Sequence, residues 1–139
     1  MAWQSYGLDQ IAQKLVLAAK QRDVKSLNQS HKMRMTVAYG LERFWGEHLR
    51  LKDKEETKSQ YWKETWDAFC DLMAQVNITL PKDKVSPSDV KKIQDVSKRL
   101  WALPLEDQRV AIAVLTQLCD CIVWWTQRYK GRLHDETDS

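Results

Sequence analysis

Apolar residues recur at intervals of three and four along most of this chain, which is the period of amphipathic helices. The longest such segment runs from Leu105 to Lys130 and contains no Gly or Pro. Pro104 precedes it and Gly131 follows it, as expected at the start and the end of a helix. Its apolar residues cover most of the circumference, which predicts a helix in the middle of a bundle. These residues are Val110, Ile112, Val114, Leu115, Leu118, Cys119, Cys121, Ile122, Trp124, Trp125 and Tyr129.

Four shorter amphipathic segments precede this helix and complete the predicted fold. Polar or charged connections separate them, of which NITLPKDKVS at residues 77–86 is the clearest loop. No alternating strand pattern stands out. We therefore predict an all-α, single-domain bundle of about five helices over residues 1–133, followed by an acidic disordered tail at residues 134–139. The four shorter helices are predicted over about residues 8–22, 30–51, 57–76 and 86–103.

Helix ends and inner faces can also be predicted. Ser30 is expected to cap the second helix and Ser86 the fourth, with Pro87 at the first position of the fourth. The predicted inner faces are Met33, Val37, Leu41, Phe44 and His48 on the second helix, and Val90, Ile93, Ser97, Leu100 and Trp101 on the fourth.

The composition adds expectations about partners and about the cellular compartment. Seven Trp residues among 139 are more than one small core hides, so some are expected to contact a partner protein. Trp3 and Trp101 lie near predicted helix ends and are assigned to a protein interface. The three Cys are odd in number, and Cys119 and Cys121 point to different sides of one helix, which predicts reduced thiols in a cytoplasmic protein. We find no signal peptide and no apolar run of about 18 residues, so no membrane span is expected.

No motif in the sequence indicates an enzyme, a cofactor site or a metal site. His31, His48 and His134 lie in no metal-binding spacing, and no Gly-rich loop is present to hold a phosphate. His48 falls on an inner helix face, where a hydrogen-bonded core histidine is expected rather than a ligand. We therefore predict no catalytic residue, no cofactor and no metal.

Two predicted helices present basic outer faces, and the net charge of the chain is +3. On a continuous second helix, with about 100° per residue, the basic and aromatic residues fall opposite the apolar face. Charges that meet phosphates and a ring that stacks on a base are typical of a surface that tracks a single strand. A solvated helix face without a partner is the alternative interpretation. The candidate nucleic-acid-binding residues are Lys32, Tyr39, Arg43 and Arg50 on the second helix, and Lys91, Lys92, Lys98 and Arg99 on the fourth.

The last helix ends in CIVWWTQRYKGR, an aliphatic and Trp-containing run followed by a basic and aromatic patch. Through Ile122, Trp124, Arg128 and Tyr129 it resembles the closing helix of small subunits of class 1 CRISPR effector complexes, the Cascade, Cmr and Csm small-subunit family. The size, the all-α pattern and the lack of catalytic motifs fit the same family. The N-terminal half departs from the Cmr-type pattern, and a type I-D small subunit is the candidate subtype.

This resemblance implies a non-catalytic subunit present in several copies in an RNA-guided surveillance complex. Its implied partners are the backbone and large subunits with their guide RNA, other copies of itself, and single-stranded DNA or RNA of the target or the displaced strand. On this basis Arg128 and Lys130 join the predicted nucleic-acid contacts. Two alternatives are a helical adaptor that docks a protein through exposed Trp residues, without nucleic acid, and an enzyme whose site lacks a recognisable motif.

Overall fold

The predicted all-α, single-domain architecture is confirmed. A computed structural model describes the backbone of residues 5–138 and the side chains of residues 7–129, and no strand occurs within that backbone. Two 3₁₀ turns, Val24–Asn28 and Val37–Tyr39, flank the second helix. The α-helices are α1 (Ser5–Arg22), α2 (Gln29–Thr36), α3 (Leu41–Leu51), α4 (Glu56–Ala74), α5 (Val90–Trp101) and α6 (Leu105–Asp138).

A break at Gly40 divides the predicted second helix into α2 and α3, so the expectation of one continuous helix is wrong. The backbone at Gly40 adopts φ 100° and ψ 172°, a conformation that is essentially restricted to glycine. The helical apolar period continues across the break, and the predicted inner face is therefore correct although the helix is not. Met33, Val37, Leu41, Phe44 and His48 are all buried.

Helix α4 contributes the largest buried side chains of the core. Trp62 and Trp66 lie on its inner face and are almost completely buried. Each indole N–H has a partner: Trp62 donates to the side-chain oxygen of Gln29 at 2.9 Å, and Trp66 donates to the carbonyl of Pro81 at 2.9 Å. Phe44 packs edge-on against Trp62 with ring centres 4.9 Å apart. These two indoles therefore combine large apolar area with satisfied polar atoms, whereas the buried indole N–H of Trp45 has no partner among the described residues.

Buried hydroxyl groups join three helices beside Trp62, in the N-terminal half of α4. The hydroxyl oxygen of Ser30 lies 2.6 Å from that of Tyr61 and 2.6 Å from that of Thr126. These contacts connect α2, α4 and α6 in the interior. Ser30 was expected to cap a helix, which is wrong: α2 begins one residue earlier, and the Ser30 side chain turns inward.

Helix α6 is buried on one face only, so the expectation that it lies in the middle of the bundle is wrong. Its inner face packs against α1 and α2. Val110 is exposed on the outer face, and Trp124 retains 54% of its accessible surface. The other helices cover one side of α6 and leave apolar side chains on the other. The buried residues are Ala111, Val114, Leu115, Leu118, Cys119, Ile122 and Thr126.

By length and composition alone, one described helix qualifies as a membrane span: α6 over Leu105–Tyr129, with a mean hydropathy of 1.3. This finding corrects the expectation that the chain contains no sufficiently apolar run. Within the apolar window, 39% of the residues are buried in the bundle. A core helix of a soluble protein satisfies the same criterion, so length and hydropathy alone do not show that α6 spans a membrane.

Helix α5 begins at a different residue from the predicted one, and two residues of its predicted inner face are exposed. Its N-cap is Asp89, whose carboxylate accepts a hydrogen bond from the backbone N–H of Lys92 at 3.2 Å, and Ser86 lies outside the helix in a turn. Val90 and Trp101 were expected to face inward but are exposed, because they lie at the two ends of the helix, where no neighbour covers them. Ser97 and Leu100 are buried as predicted.

Some sequence-based assignments fall outside the described side chains. The assignments of Trp3 and Lys130 belong to this group and stay predictions. The tail at residues 134–139 was predicted to be disordered, and its described backbone, up to Asp138, belongs to α6.

Replacing Gly40 by alanine should destabilise the fold by roughly 1–3 kcal/mol, because a side chain is strained at this backbone conformation. Steric overlap does not contribute, since no atom lies within 4 Å of an added Cβ. Chemical denaturation measures the change in the free energy of unfolding.

Gly46→Ala is the matched control, because Gly46 lies inside α3 and an added Cβ would meet only the Glu42 carboxylate at 3.8 Å. It should be neutral or stabilise the protein by about 0.5–1 kcal/mol through helix propensity. Equal effects of the two substitutions would contradict the strain at Gly40.

Candidate nucleic-acid interface

A cleft of about 270 Å³ opens where the Gly40 break meets the end of α5. Tyr39 and Trp101 line it, and they are the most exposed large aromatic residues described, at 70% and 67%. The guanidinium of Arg43 lies 5.8 Å from the centre of the Tyr39 ring, a cation–π distance. We call this feature the aromatic cleft and define it by Tyr39, Arg43 and Trp101.

Local chain geometry positions each member of the aromatic cleft. Tyr39 ends a 3₁₀ turn, and the glycine after it redirects the chain so that Arg43 lies in the first turn of α3. Trp101 is the last residue of α5. The buried side chains of Leu41 and Leu100 line the interior of the cleft. The cleft therefore has an apolar interior beneath two exposed rings, and its lining includes one cation, Arg43, and one acidic residue, Glu42.

A row of lysines leads along α5 to the aromatic cleft. Lys91 and Lys98 are seven residues apart, and Trp101 follows Lys98 by three, so all three share one face of the helix. Among the described side chains, no carboxylate lies within ion-pair distance of Lys91, Lys98 or Arg43. These cations are available to phosphate groups.

The predicted straight basic stripe on the second helix does not exist, because the break at Gly40 folds it back. In a continuous helix Lys32 and Arg50 would lie about 27 Å apart. In the structure both cations lie close enough to Glu55 to affect its pKa. A hydrogen bond from Lys58 lowers the pKa of the Glu55 carboxyl most, and the charges of Lys32 and Arg50 lower it further. Tyr39 and Arg43 remain together at the cleft, away from this group.

Two of the predicted arginines are already engaged by carboxylates. Arg50 donates two hydrogen bonds to Glu47, at 2.9 and 2.8 Å. Arg99 contacts Asp83 at 2.8 Å and Asp95 at 3.0 Å. Their charge is largely compensated, which makes them weaker candidates for a phosphate contact.

The C-terminal aromatic patch mainly joins α6 to α1. The Trp125 indole donates to Asp9 at 3.2 Å, and the Gln13 amide donates to the Tyr129 hydroxyl at 2.9 Å. The Arg128 guanidinium lies over both neighbouring indoles, 5.7 Å from the centre of Trp124 and 5.3 Å from that of Trp125. Trp125 and Tyr129 are thus structural, while Trp124 stays exposed.

A second aromatic pocket, of about 360 Å³, lies beside this patch and has the opposite charge. It is lined by Trp124 and Trp125 with the carboxylates of Asp9 and Asp120, together with Cys121. Asp120 pairs with Arg34 at 2.6 Å. Carboxylates repel phosphate, so the structure gives little support to the predicted nucleic-acid contact of Arg128.

The three cysteine thiols do not provide a nucleophile. Burial raises the pKa of Cys70 and of Cys119 to about 12 and that of Cys121 to about 11, which keeps all three thiols protonated and unreactive near neutral pH. Among the described residues, no cluster of three His, Cys, Asp or Glu side chains is arranged to hold a metal ion. A third cavity of about 450 Å³ mixes lysines with glutamates, is also lined by His48, and contains no Trp, Tyr or Phe side chain.

No protein-family model matches this chain, and no curated protein and no solved structure matches it either. Function is therefore inferred from the residues themselves.

The predicted site and the observed site overlap in part. The structure brings Tyr39 and Arg43 together and adds Trp101, which had been assigned to a protein interface. It also adds Gln108 from the start of α6, which the sequence analysis did not consider. Pro104 was recognised in the sequence as a helix boundary, whereas Gly40, which lines the cleft, was not recognised as a break.

His48 is expected to make the fold acid-sensitive. Burial lowers its pKa to about 4, while its Nδ1–H donates to the carbonyl of Trp45 and its Nε2 has no partner among the described residues. The unfolded chain binds a proton near pH 6.5 and the folded protein does not, so stability should fall as the pH decreases from about 6.5 to 4, by up to about 3 kcal/mol.

Denaturation of the parent and of His48→Gln across this pH range measures the effect, with exposed His31→Gln as the matched control. The His48 variant should lose a large part of the pH dependence, whereas the His31 variant should keep it. An unchanged dependence in His48→Gln would show that His48 is not buried in the neutral form.

Proposed function

We propose that this protein binds single-stranded nucleic acid through the aromatic cleft and catalyses no reaction. The observation that supports this most is the convergence of two exposed aromatic rings and a cation, Tyr39, Trp101 and Arg43, on one cleft with an apolar interior.

Such a cleft can hold an unpaired base together with its neighbouring phosphates. Its faces stack on aromatic rings, and each such contact contributes about 1–3 kcal/mol without demanding a particular base. Its neighbouring phosphates meet cations, which Lys98 and Lys91 supply along α5. A duplex offers no free base face to stack on, so the cleft favours single strands.

The resemblance of the last helix extends the proposal to an assembly. In that setting the protein is a small subunit of a CRISPR surveillance complex, repeated along the guide RNA beside the backbone and large subunits. Each copy holds part of the target or displaced strand, while the guide RNA reads the sequence. Several weak sites in a row bind one strand strongly, because each bound copy raises the local concentration of strand at the next.

Removing either ring should weaken strand binding. Tyr39→Ala and Trp101→Ala should each lower the affinity for a mixed-sequence 20-nucleotide strand by roughly tenfold or more at low salt, since each loses one stacking surface. Both side chains are exposed, so the fold should be unchanged. Fluorescence anisotropy with labelled DNA and RNA measures the affinity, and circular dichroism checks the fold.

Trp124→Ala is the matched control, because it removes an equally large, exposed indole outside the cleft. It should bind nucleic acid as the parent does. If Tyr39→Ala and Trp101→Ala both bind the strand with the affinity of the parent, the proposal is wrong.

A protein-docking adaptor is the second candidate function, and the acidic aromatic pocket favours it. Trp124 keeps 54% of its accessible surface at this pocket, and exposed Trp is enriched in protein interfaces. If Trp124→Ala abolishes the co-purification of a protein and the cleft variants leave all binding unchanged, the adaptor is the better account.

A further inference from the structure

The amide of Gln108 is held in one orientation beside the aromatic cleft. Its Nε2 donates to the carbonyl of Leu103 at 2.7 Å and approaches that of Trp101 at 3.5 Å. Both acceptors belong to the turn between α5 and α6. The amide nitrogen is therefore committed to the backbone, and the side-chain oxygen is the polar atom left over.

That oxygen is accessible from the cleft. Gln108 lines the cavity, and its Oε1 accepts no hydrogen bond from the described residues. Among the described residues, the buried side-chain atoms without a hydrogen-bond partner are Arg22 Nε and Nη2, Trp45 Nε1 and His48 Nε2. The Gln108 Oε1 atom is not one of them. An unpaired atom that is not buried is open to solvent, and this atom belongs to a residue that lines the cleft.

A second acceptor lines the same cavity. Glu42 contributes its carboxylate, and no cation pairs with it among the described side chains. A carboxylate and an amide oxygen both accept hydrogen bonds and donate none. A base edge in the cleft therefore meets two acceptors.

We propose that Gln108, assisted by Glu42, makes the cleft prefer bases that carry an exocyclic amino group, so that it binds cytosine more tightly than uracil. The inference rests on the proposed function, because it concerns a base held between Tyr39 and Trp101. Gln108 is a specificity-determining residue in this account, and the stacking rings supply most of the affinity.

Cytosine and uracil make the cleanest comparison. They have the same ring size, and cytosine presents an N4 amino donor where uracil presents an O4 acceptor. The amino group, at the end of the base edge, donates to the Gln108 oxygen. The single donor of uracil, N3–H, lies between O4 and O2, so an acceptor that reaches it also faces two carbonyl oxygens. Arg43, the donor at the rim, meets an O2 carbonyl on either base.

The test compares the affinities of the parent protein for oligo(rC) and oligo(rU) of equal length at low salt and pH 7.5. The parent should bind oligo(rC) roughly twofold to tenfold more tightly, the range expected for one net hydrogen bond. Gln108→Met keeps the length of the side chain and removes the acceptor, so the two affinities should become equal. Gln117→Met, on the exposed outer face of α6, is the control and should retain the preference.

Gln108→Glu separates recognition from a structural role. It loses the donated hydrogen bond to Leu103, as Gln108→Met does, but it keeps an acceptor in the cleft. A role limited to holding the turn predicts the same change in both variants. Recognition predicts that Gln108→Glu still prefers oligo(rC), with lower affinity for both strands because of its added negative charge.

The outcomes distinguish this inference from the function on which it rests. Equal affinity of the parent for the two strands, with binding still lost in Tyr39→Ala and Trp101→Ala, overturns the base preference and leaves the proposed function intact. A preference that Gln108→Met retains also overturns it. Binding that does not depend on Tyr39 and Trp101 overturns both.

Discussion

The bend at Gly40 is the constraint on which the arrangement of the other helices and the candidate site depend. Helix α2 packs mainly against α6, whereas α3 packs mainly against α4, so the two segments have different neighbours. The chain satisfies both contacts by adopting, at Gly40, a backbone conformation that other residues avoid. The same bend exposes Tyr39 at the corner and brings Arg43 to its ring, so that the end of α5 completes a cleft there. Core packing and the proposed site thus share one cause.

The two exposed aromatic sites are separated by charge, and this separation supports different partners for each. The aromatic cleft combines two rings with Arg43 and the lysines of α5. The pocket beside Trp124 combines two rings with the carboxylates of Asp9 and Asp120. Stacking alone does not distinguish a nucleic-acid strand from a protein side chain, but the surrounding charge does. A protein that binds a strand at one site and a subunit at the other is consistent with the proposed place in a multi-subunit assembly.

Much of the fold could be predicted from the periodicity of apolar residues, because burial requires that period. The inner face shared by α2 and α3 follows from it, and so does the burial of Ser97 and Leu100 on α5. The break between α2 and α3 was missed because Val37 and Leu41 keep helical spacing across Gly40. For α6, an apolar circumference does not show which side finds a neighbour. At the site, Tyr39 and Arg43 could be predicted from composition, whereas Trp101 and Gln108 come from distant segments that only the packing of α5 and α6 brings near.

Photocrosslinking tests the central claim, strand binding in the aromatic cleft, most directly. A single strand with one 4-thiouridine is irradiated with the full-length protein, and the crosslinked tryptic peptides are identified by mass spectrometry. Tyr39, Trp101 and Trp124 fall in three different peptides, at residues 35–43, 100–109 and 110–128, because each is bounded by its own Arg. The account predicts crosslinks at Tyr39 and Trp101 in the first two peptides. Crosslinks confined to the peptide of Trp124, or spread evenly over lysine-bearing surfaces, would contradict it.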